Sequence, residues 1–325
     1  MLRMQRATFA SRFLRSNRLL VPFAAGAVTS AVCAPRADTA SFSTLASTPT
    51  SLSSSPVPHT LPGGALSVVI YAYETCPFCN KVRAYLDAVK VPYVVVEVEP
   101  LMKSELSWWP TYKKVPLAVI NGVVVTDSAR IIDAVESLLR EHTVGSSRSR
   151  SNSLPLYPLT ALSIADGGKG ESARRQWVDD VLVKLLTVNI YRTPGEALGT
   201  FDYLTQRNFS AWSAFAAKYV GAAAMYGVAR SRLTALKLPP GVDERAALAT
   251  ALTGFINDMN GAPFAGGDKP DISDVSAFGV LRAIKGLPTH TDALKMSIAG
   301  PWYERMVQAV GTSSMAHRVF EAPGK

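Results

Sequence analysis

The stretch LSVVIYAYETCPFCN, residues 66–80, decides the fold. Its first eight residues form a continuous apolar, β-branched run, the pattern of a strand buried on both faces of an α/β sheet. Cys76-Pro77-Phe78-Cys79 follows, and then a helical spacing through Lys90 places Val82, Tyr85, Leu86 and Val89 on one face. Cys76 therefore falls at a helix N-terminus, where unpaired backbone N–H groups and the macrodipole favour an anion. A thiol held there has a lowered pKa and exists partly as the nucleophilic thiolate. Pro77 suits the first turn because its missing N–H would lack a partner anyway. Cys79, one turn on, is placed to act as a resolving thiol. Two plainer readings stay open. A zinc site would need a second ligand pair, whereas the remaining cysteine is Cys33 and no histidine lies near the motif. The two thiols could also be a buried structural pair.

Downstream, residues 92–98 read as a second strand and residues 103–112 as a short helix or loop. Residues 115–120 and 123–126 flank Asn121-Gly122, the strongest short hairpin signal. Asp127-Ser128 then starts a helix through about Glu141. Pro, Gly and Ser punctuate the following stretch, and beyond it the pattern is helical: 172–188, 210–236, 243–260, 271–285 and 301–310. Asp271-Ile272-Ser273-Asp274 predicts a capping box. Small residues in AKYVGAAAMY permit close helix–helix approach. The expected architecture is α/β followed by all-α, divided as 1–64 leader and spacer, 65–142 α/β domain, 143–170 linker and 171–325 helical domain.

Upstream, the leader explains most of the charge. The 325 residues carry a formal net charge of +9. Residues 1–60 hold six arginines against Asp38, which gives +5 and leaves +4 for the rest, so a nucleic-acid footprint is not indicated. Arg3, Arg6, Arg12, Arg15 and Arg18 interleave with Leu2, Phe9, Phe13 and Leu14, the signature of a mitochondrial import helix. Residues 19–34 are apolar but contain Pro22, Thr29 and Ser30, so they read as presequence, with an N-terminal membrane anchor as the alternative. Residues 40–62 read as a disordered spacer. Composition excludes collagen, a wholly disordered chain and a polytopic membrane protein. Three cysteines in 325 residues exclude a disulfide-built secreted fold.

The strand–CPFC–helix arrangement is that of a glutaredoxin-like redox site. Val115-Pro116 precedes the third strand, and in thioredoxin-like folds this proline is typically cis, turning the preceding backbone toward a peptide-like ligand. Asp127-Ser128 serves as an N-cap, as a grip for the charged end of a tripeptide, or as both. Tyr73, three residues before Cys76, can set its hydroxyl beside the thiol. Trp108-Trp109 and Tyr191-Arg192-Thr193-Pro194 read as packing residues or as crevice wall.

The segment YAYETCPFCNKVRAYLDAVKVPYVVVEVEP, together with RQWVDDVLVKLL, NIYRTPGEAL, FDYL, AKYVGAAAMY, PFAGGDKPDISD, FGVLRAIKGL and PWYERM, resembles the membrane-associated prostaglandin E synthase 2 family over most of residues 66–310. The resemblance implies a glutathione-transferase-like homodimer, with a thioredoxin-fold domain, a helical domain and a crevice between them. It implies glutathione held by Val115, Asp127 and Ser128 beside Pro116, and a catalytic pocket of Cys76, Tyr73 and Phe78 with Cys79 behind. The implied reaction is isomerisation of the lipid endoperoxide prostaglandin H2 to prostaglandin E2. The family also binds haem with glutathione. Here no histidine occurs between His142 and His290, so any haem would need a thiolate ligand, and Lys184 stands where members carry a histidine. The CPFC motif alone leaves two alternatives: a glutathione-dependent thiol-disulfide oxidoreductase or transferase, and a glutathione- or haem-binding protein with little catalysis.

Overall fold

The computed structural model describes residues 66–145, 170–206 and 211–319. The basic leader, the apolar run at 19–34, the spacer and nearly all of the 143–170 linker lie outside the described residues, and with them the import and anchor expectations.

Strand β1 (Val68–Ala72) leads through the CPFC turn into α1 (Pro77–Ala88) and back to β2 (Tyr93–Glu97), which runs parallel to β1. A 3₁₀ turn at Ser104–Leu106 precedes β3 (Leu117–Ile120) and β4 (Val123–Thr126), both antiparallel to their neighbours. The β3–β4 hairpin closes through Asn121 and Gly122, both at positive φ (48° and 83°), the geometry that asparagine and glycine tolerate best. Helix α2 (Ser128–Gly145) completes the α/β half.

Every residue of β1 is buried, as the apolar run predicts. Val69 and Tyr71 join Val94, Val96, Leu106, Leu117 and Val119 in one cluster, covered by Trp108, Trp109 and Tyr112 from the segment before β3. Trp108 packs on Tyr71 at 5.4 Å and on Trp109 at 5.8 Å, so this pair has the packing role.

The helical half is α3 (Glu171–Trp177), a π-helical turn (Val178–Leu182), α4 (Val183–Ile190), α5 (Pro194–Thr200), α6 (Ala211–Leu236), α7 (Glu244–Asn257), α8 (Ile272–Arg282), α9 (Pro288–Met296) and α10 (Gly300–Val310). The expected capping box forms: Asp271 accepts from Ser273 and Asp274 N–H, and Asp274 accepts from Asp271 N–H. Asp274 also takes the Trp302 indole N–H at 2.9 Å and the Ala265 N–H at 3.0 Å, while Arg174 reaches Asp271 at 2.6 Å. One buried pair of carboxylates thus ties three helices and a loop together.

The thiol-bearing helix is anchored against the helical half. A Cβ on Gly279 of α8 would lie 2.7 Å from both the Asn80 carbonyl oxygen and Lys81 Cα, so only glycine allows α8 this close to the start of α1. Lys81, 1% exposed, reaches across to Asp179 in the π-helical turn at 2.7 Å. The sequence expectation of one unbroken helix over 172–188 is met except for that turn, which carries the lysine's partner.

The described residues do not end in helix. Met315–Val319 forms β5, which pairs parallel with β2 and makes the sheet order β4-β3-β1-β2-β5. The last described residues thus belong to the α/β sheet rather than to the helical set expected from 171 onward. Asp87 of α1 fastens this return: its carboxylate accepts from Tyr93, Ser313 and Ser314 on one oxygen and from Arg282 at 2.7 Å on the other.

Candidate active site

Cys76 is the N-cap of α1, with extended backbone (φ −74°, ψ 121°), and Pro77 occupies the first turn. The turn that presents it is held by Asn80, whose side-chain amide donates to the carbonyls of Glu74 (2.7 Å) and Cys76 (3.1 Å). Cys76 is half-buried and Cys79 is buried. Their environments push them in opposite directions. The Cys79 thiol donates to Cys76, and with the backbone N–H groups of Cys79 and Phe78 this holds Cys76 below the usual thiol range, against the cost of its burial. Burial first, and then that same hydrogen bond, raise Cys79 well above it. One sulfur is prepared as thiolate and its neighbour as proton donor.

Tyrosines surround the pair. Tyr73, at the end of β1, is half-buried and its phenol is pushed far up, first by burial and then by the charge on Cys76. Tyr191, buried against Phe201 at 6.1 Å, comes from the end of α4 and is raised by burial and by Cys76. Tyr203 hydrogen-bonds the Thr75 side chain and is raised by burial and by Glu97. These phenols stay protonated at any physiological pH, and Tyr73 and Tyr191 lie near enough to feel the charge of Cys76. Phe78 is half-buried beside the thiol, with the Lys81 ammonium 5.9 Å from its ring centre.

The other end of the site lies at the hairpin. The Val115–Pro116 peptide bond is cis, as the sequence predicts. Pro116 is buried and Val115 half-buried. Asp127 takes a left-handed backbone (φ 76°), a conformation that aspartate adopts more readily than most residues. Its Oδ1 accepts from the N–H groups of Ala129 (2.9 Å) and Arg130 (3.3 Å), so it caps α2. Ser128 beside it is buried. A carboxylate already seated on the helix end makes that end suited to an ammonium rather than to a second carboxylate, which sharpens the sequence expectation. Tyr112 bridges the two ends: it hydrogen-bonds the Asp127 backbone N–H and feels the charges of both cysteines.

All eight expected site residues thus fall on the loops and element ends around the cis-proline and the start of α1. Sequence reasoning did not single out Tyr112 or Tyr203, and Tyr191 packs on Phe201 while lying near enough to feel the charge of Cys76. Among the described residues neither Lys184 nor a histidine supports the haem that the resemblance implies, which leaves a thiolate as its remaining ligand. Lys184 is about half exposed and paired with Asp180 at 3.2 Å. His290 stands edge-on to Tyr303 at 5.0 Å, and His317 is exposed on β5. A cavity of about 690 Å³ is lined among others by Glu74, Thr75, Asn80, Arg83, Tyr203 and Ser313. Its wall includes Glu74, Thr75 and Asn80 of the turn that carries Cys76, and none of Val115, Asp127 or Ser128.

Comparison with known proteins shows the family of the chain. Residues 70–142 match the family model described as glutathione S-transferase, N-terminal domain. The chain is 36% identical over 276 residues to prostaglandin E synthase 2 of Danio rerio, covering 75% of this chain and 71% of that protein. It is 35% identical over 290 residues to prostaglandin E synthase 2 of Mus musculus, covering 78% and 73%. Among solved structures, glutaredoxin 2 from Salmonella typhimurium in complex with glutathione aligns at 13% identity and TM-score 0.36, covering 75% of this chain and 94% of that one. Poplar glutathione transferase F1 aligns at 15% identity and TM-score 0.41, covering 74% and 92%.

Proposed function

The chain belongs to the prostaglandin E synthase 2 family of isomerases, and we propose that it converts prostaglandin H2 to prostaglandin E2 with Cys76 as nucleophile and glutathione seated along the cis-proline hairpin. The observation that carries the chemistry is the split of the two thiols, Cys76 lowered and Cys79 raised, beneath protonated phenols.

The Cys76 thiolate attacks one oxygen of the endoperoxide, forming an S–O bond as the weak O–O bond breaks. The departing oxygen leaves as an alkoxide and takes a proton from Tyr73, becoming the ring hydroxyl. The carbon bearing the sulfur-bound oxygen then loses its proton, its C–H electrons close the C=O bond, and the S–O pair returns to Cys76 as thiolate. The proton goes back to the phenolate. Atoms balance, the substrate is isomerised, and no electrons are left on the enzyme. Phe78 presents an apolar wall to the lipid. Val115 offers its backbone to the tripeptide, and Asp127 with Ser128 receives its ammonium end.

A second reading has its own support. The hydrogen bond between the Cys79 and Cys76 side chains puts the sulfurs within reach of each other, which suits glutathione-dependent thiol-disulfide exchange. Homodimer formation, mitochondrial import and membrane association belong to the proposal. The leader that would direct the last two lies outside the described residues, and among these no helix is long and apolar enough to cross a membrane.

The test is turnover of prostaglandin H2 by the full chain with glutathione, wild type beside Cys76→Ser and Cys79→Ser. We expect prostaglandin E2 from wild type and Cys79→Ser and none above background from Cys76→Ser. Equal rates in all three would remove the isomerase mechanism, and reduction of a glutathione mixed disulfide without endoperoxide turnover would select the exchange reading.

A further inference from the structure

The last strand ends in a cation directed at the thiol turn. Arg318 of β5 pairs opposite Val95 of β2, and its guanidinium reaches two carboxylates, Glu74 and Glu97. Its Nη1 lies 3.2 Å from Glu97 Oε2. The Arg318 side chain is 9% exposed and that of Glu97 1%, so this charge pair is shielded from water. The other Glu97 oxygen accepts the Glu74 backbone N–H at 2.7 Å. Glu74 is two residues before Cys76, and its carbonyl is held in turn by Asn80. The turn that carries the thiol is therefore clamped on both sides, by Asn80 through its carbonyls and by Glu97 through an N–H.

We propose that Arg318 is a positioning residue for Cys76, acting through Glu97: it fixes the carboxylate that holds the thiol turn and keeps that carboxylate's charge from opposing the thiolate. A buried carboxylate this close to a thiolate needs a counter-charge, because two like charges away from water disfavour each other. Glu97 does push upward on both Cys76 and Cys79. The groups facing Cys76 are Cys79 from α1, Tyr73 from β1, Glu97 from β2, Tyr112 from the segment before β3 and Tyr191 from the end of α4. Those facing Arg318 are Glu74 and Glu97. The cation thus comes from a segment more than two hundred residues away, and the C-terminal strand becomes part of the thiol site. The inference rests on Cys76 being the reacting thiol. It does not depend on which substrate that thiol meets.

The experiment is the pH dependence of Cys76 alkylation by iodoacetamide in the reduced full chain, with fragment mass spectrometry separating Cys76 from Cys79. Arg318→Gln should move the alkylation profile to higher pH and slow the reaction about fivefold at neutral pH. Arg318→Lys should retain most of the wild-type rate. In the Arg318→Gln/Glu97→Gln double variant the profile should return toward wild type, which a merely structural role for the arginine would not produce. Glu97→Gln alone, with Arg318 in place, should move the profile to lower pH, and it decides the matter if Arg318→Gln fails to fold. An Arg318→Gln profile superposed on wild type overturns the proposal. So does a double variant as slow as Arg318→Gln, or a Glu97→Gln profile that is unmoved or raised. Because alkylation reads the thiol itself, failure of prostaglandin H2 turnover would leave this result standing.

Discussion

Cys76 and Cys79 are one helical turn apart and are driven toward opposite ionisation states, so the pair has a direction. Only the thiolate attacks, so activity should climb as pH rises through the lowered Cys76 pKa. Cys79→Ala removes the thiol hydrogen bond that does most to lower Cys76, and the rising limb should therefore shift to higher pH while the plateau above it survives. The pH profile of kcat/KM checks this, and an unmoved limb would mean that backbone N–H groups alone set the thiol. Tyr73 has its phenol raised by burial and by Cys76, so it stays a donor over the whole accessible range and adds no limb of its own. Tyr73→Phe should cost about 100-fold in kcat with KM little changed, measured as initial rates of prostaglandin E2 formation. The thiols were legible in sequence because strand, CPFC and helix are contiguous, and Pro116, Asp127 and Ser128 because each stands at the start of an element. Tyr203 was not. It stands in the FDYL segment, a short 3₁₀ turn whose residue types point to no chemistry, and it acquires meaning when tertiary packing lays it against Thr75.

At the scale of elements, the position of Cys76 depends on how closely α1 lies against α8. The two helices meet where Gly279 faces Asn80 and Lys81, and Asn80 is the residue that holds the thiol turn. Gly279→Ala inserts a methyl group where backbone atoms stand 2.7 Å from the new Cβ, so the helices must separate. Overpacking of this kind costs roughly 1–3 kcal/mol, to be read as a lower urea midpoint with unchanged m. Because the shift falls on Asn80, isomerase activity should drop further than at a buried site on a helix not packed against α1, such as Leu252→Ala of α7. Equal losses at both positions would deny that this contact sets the thiol. The apolar faces of α1 and α8 were legible as periodicity. The glycine's purpose was not, since FGVLRAIKGL shows a helix with a small residue in it and says nothing of which helix comes near.

For the whole molecule, the last strand changes how the two halves depend on each other. Met-Ala-His-Arg-Val has no apolar run and weak alternation, so no local signal marks it as a strand. As a half-exposed edge it needs only β2 beside it and Val319 against the core. Its effect is that the chain leaves the α/β half, builds the helical half and returns, with Asp87 receiving Ser313, Ser314 and Tyr93 on one oxygen and Arg282 of α8 on the other. Lys81–Asp179 and the Gly279 contact cross the same boundary. Three such ties, two of them buried and charged, leave neither half a complete surface of its own, so the halves should unfold together. Circular dichroism, dominated by the helices, and hydrogen exchange of the β1 and β3 amides should give one shared urea midpoint. Asp87→Ala strands the Arg282 guanidinium and three further donors. It should lower both midpoints together, by the equivalent of about 3–5 kcal/mol. Strand amides that open while the helices remain intact would make the halves independent domains, and the return of the chain through β5 would then be a local ornament of the sheet rather than the tie that couples the two.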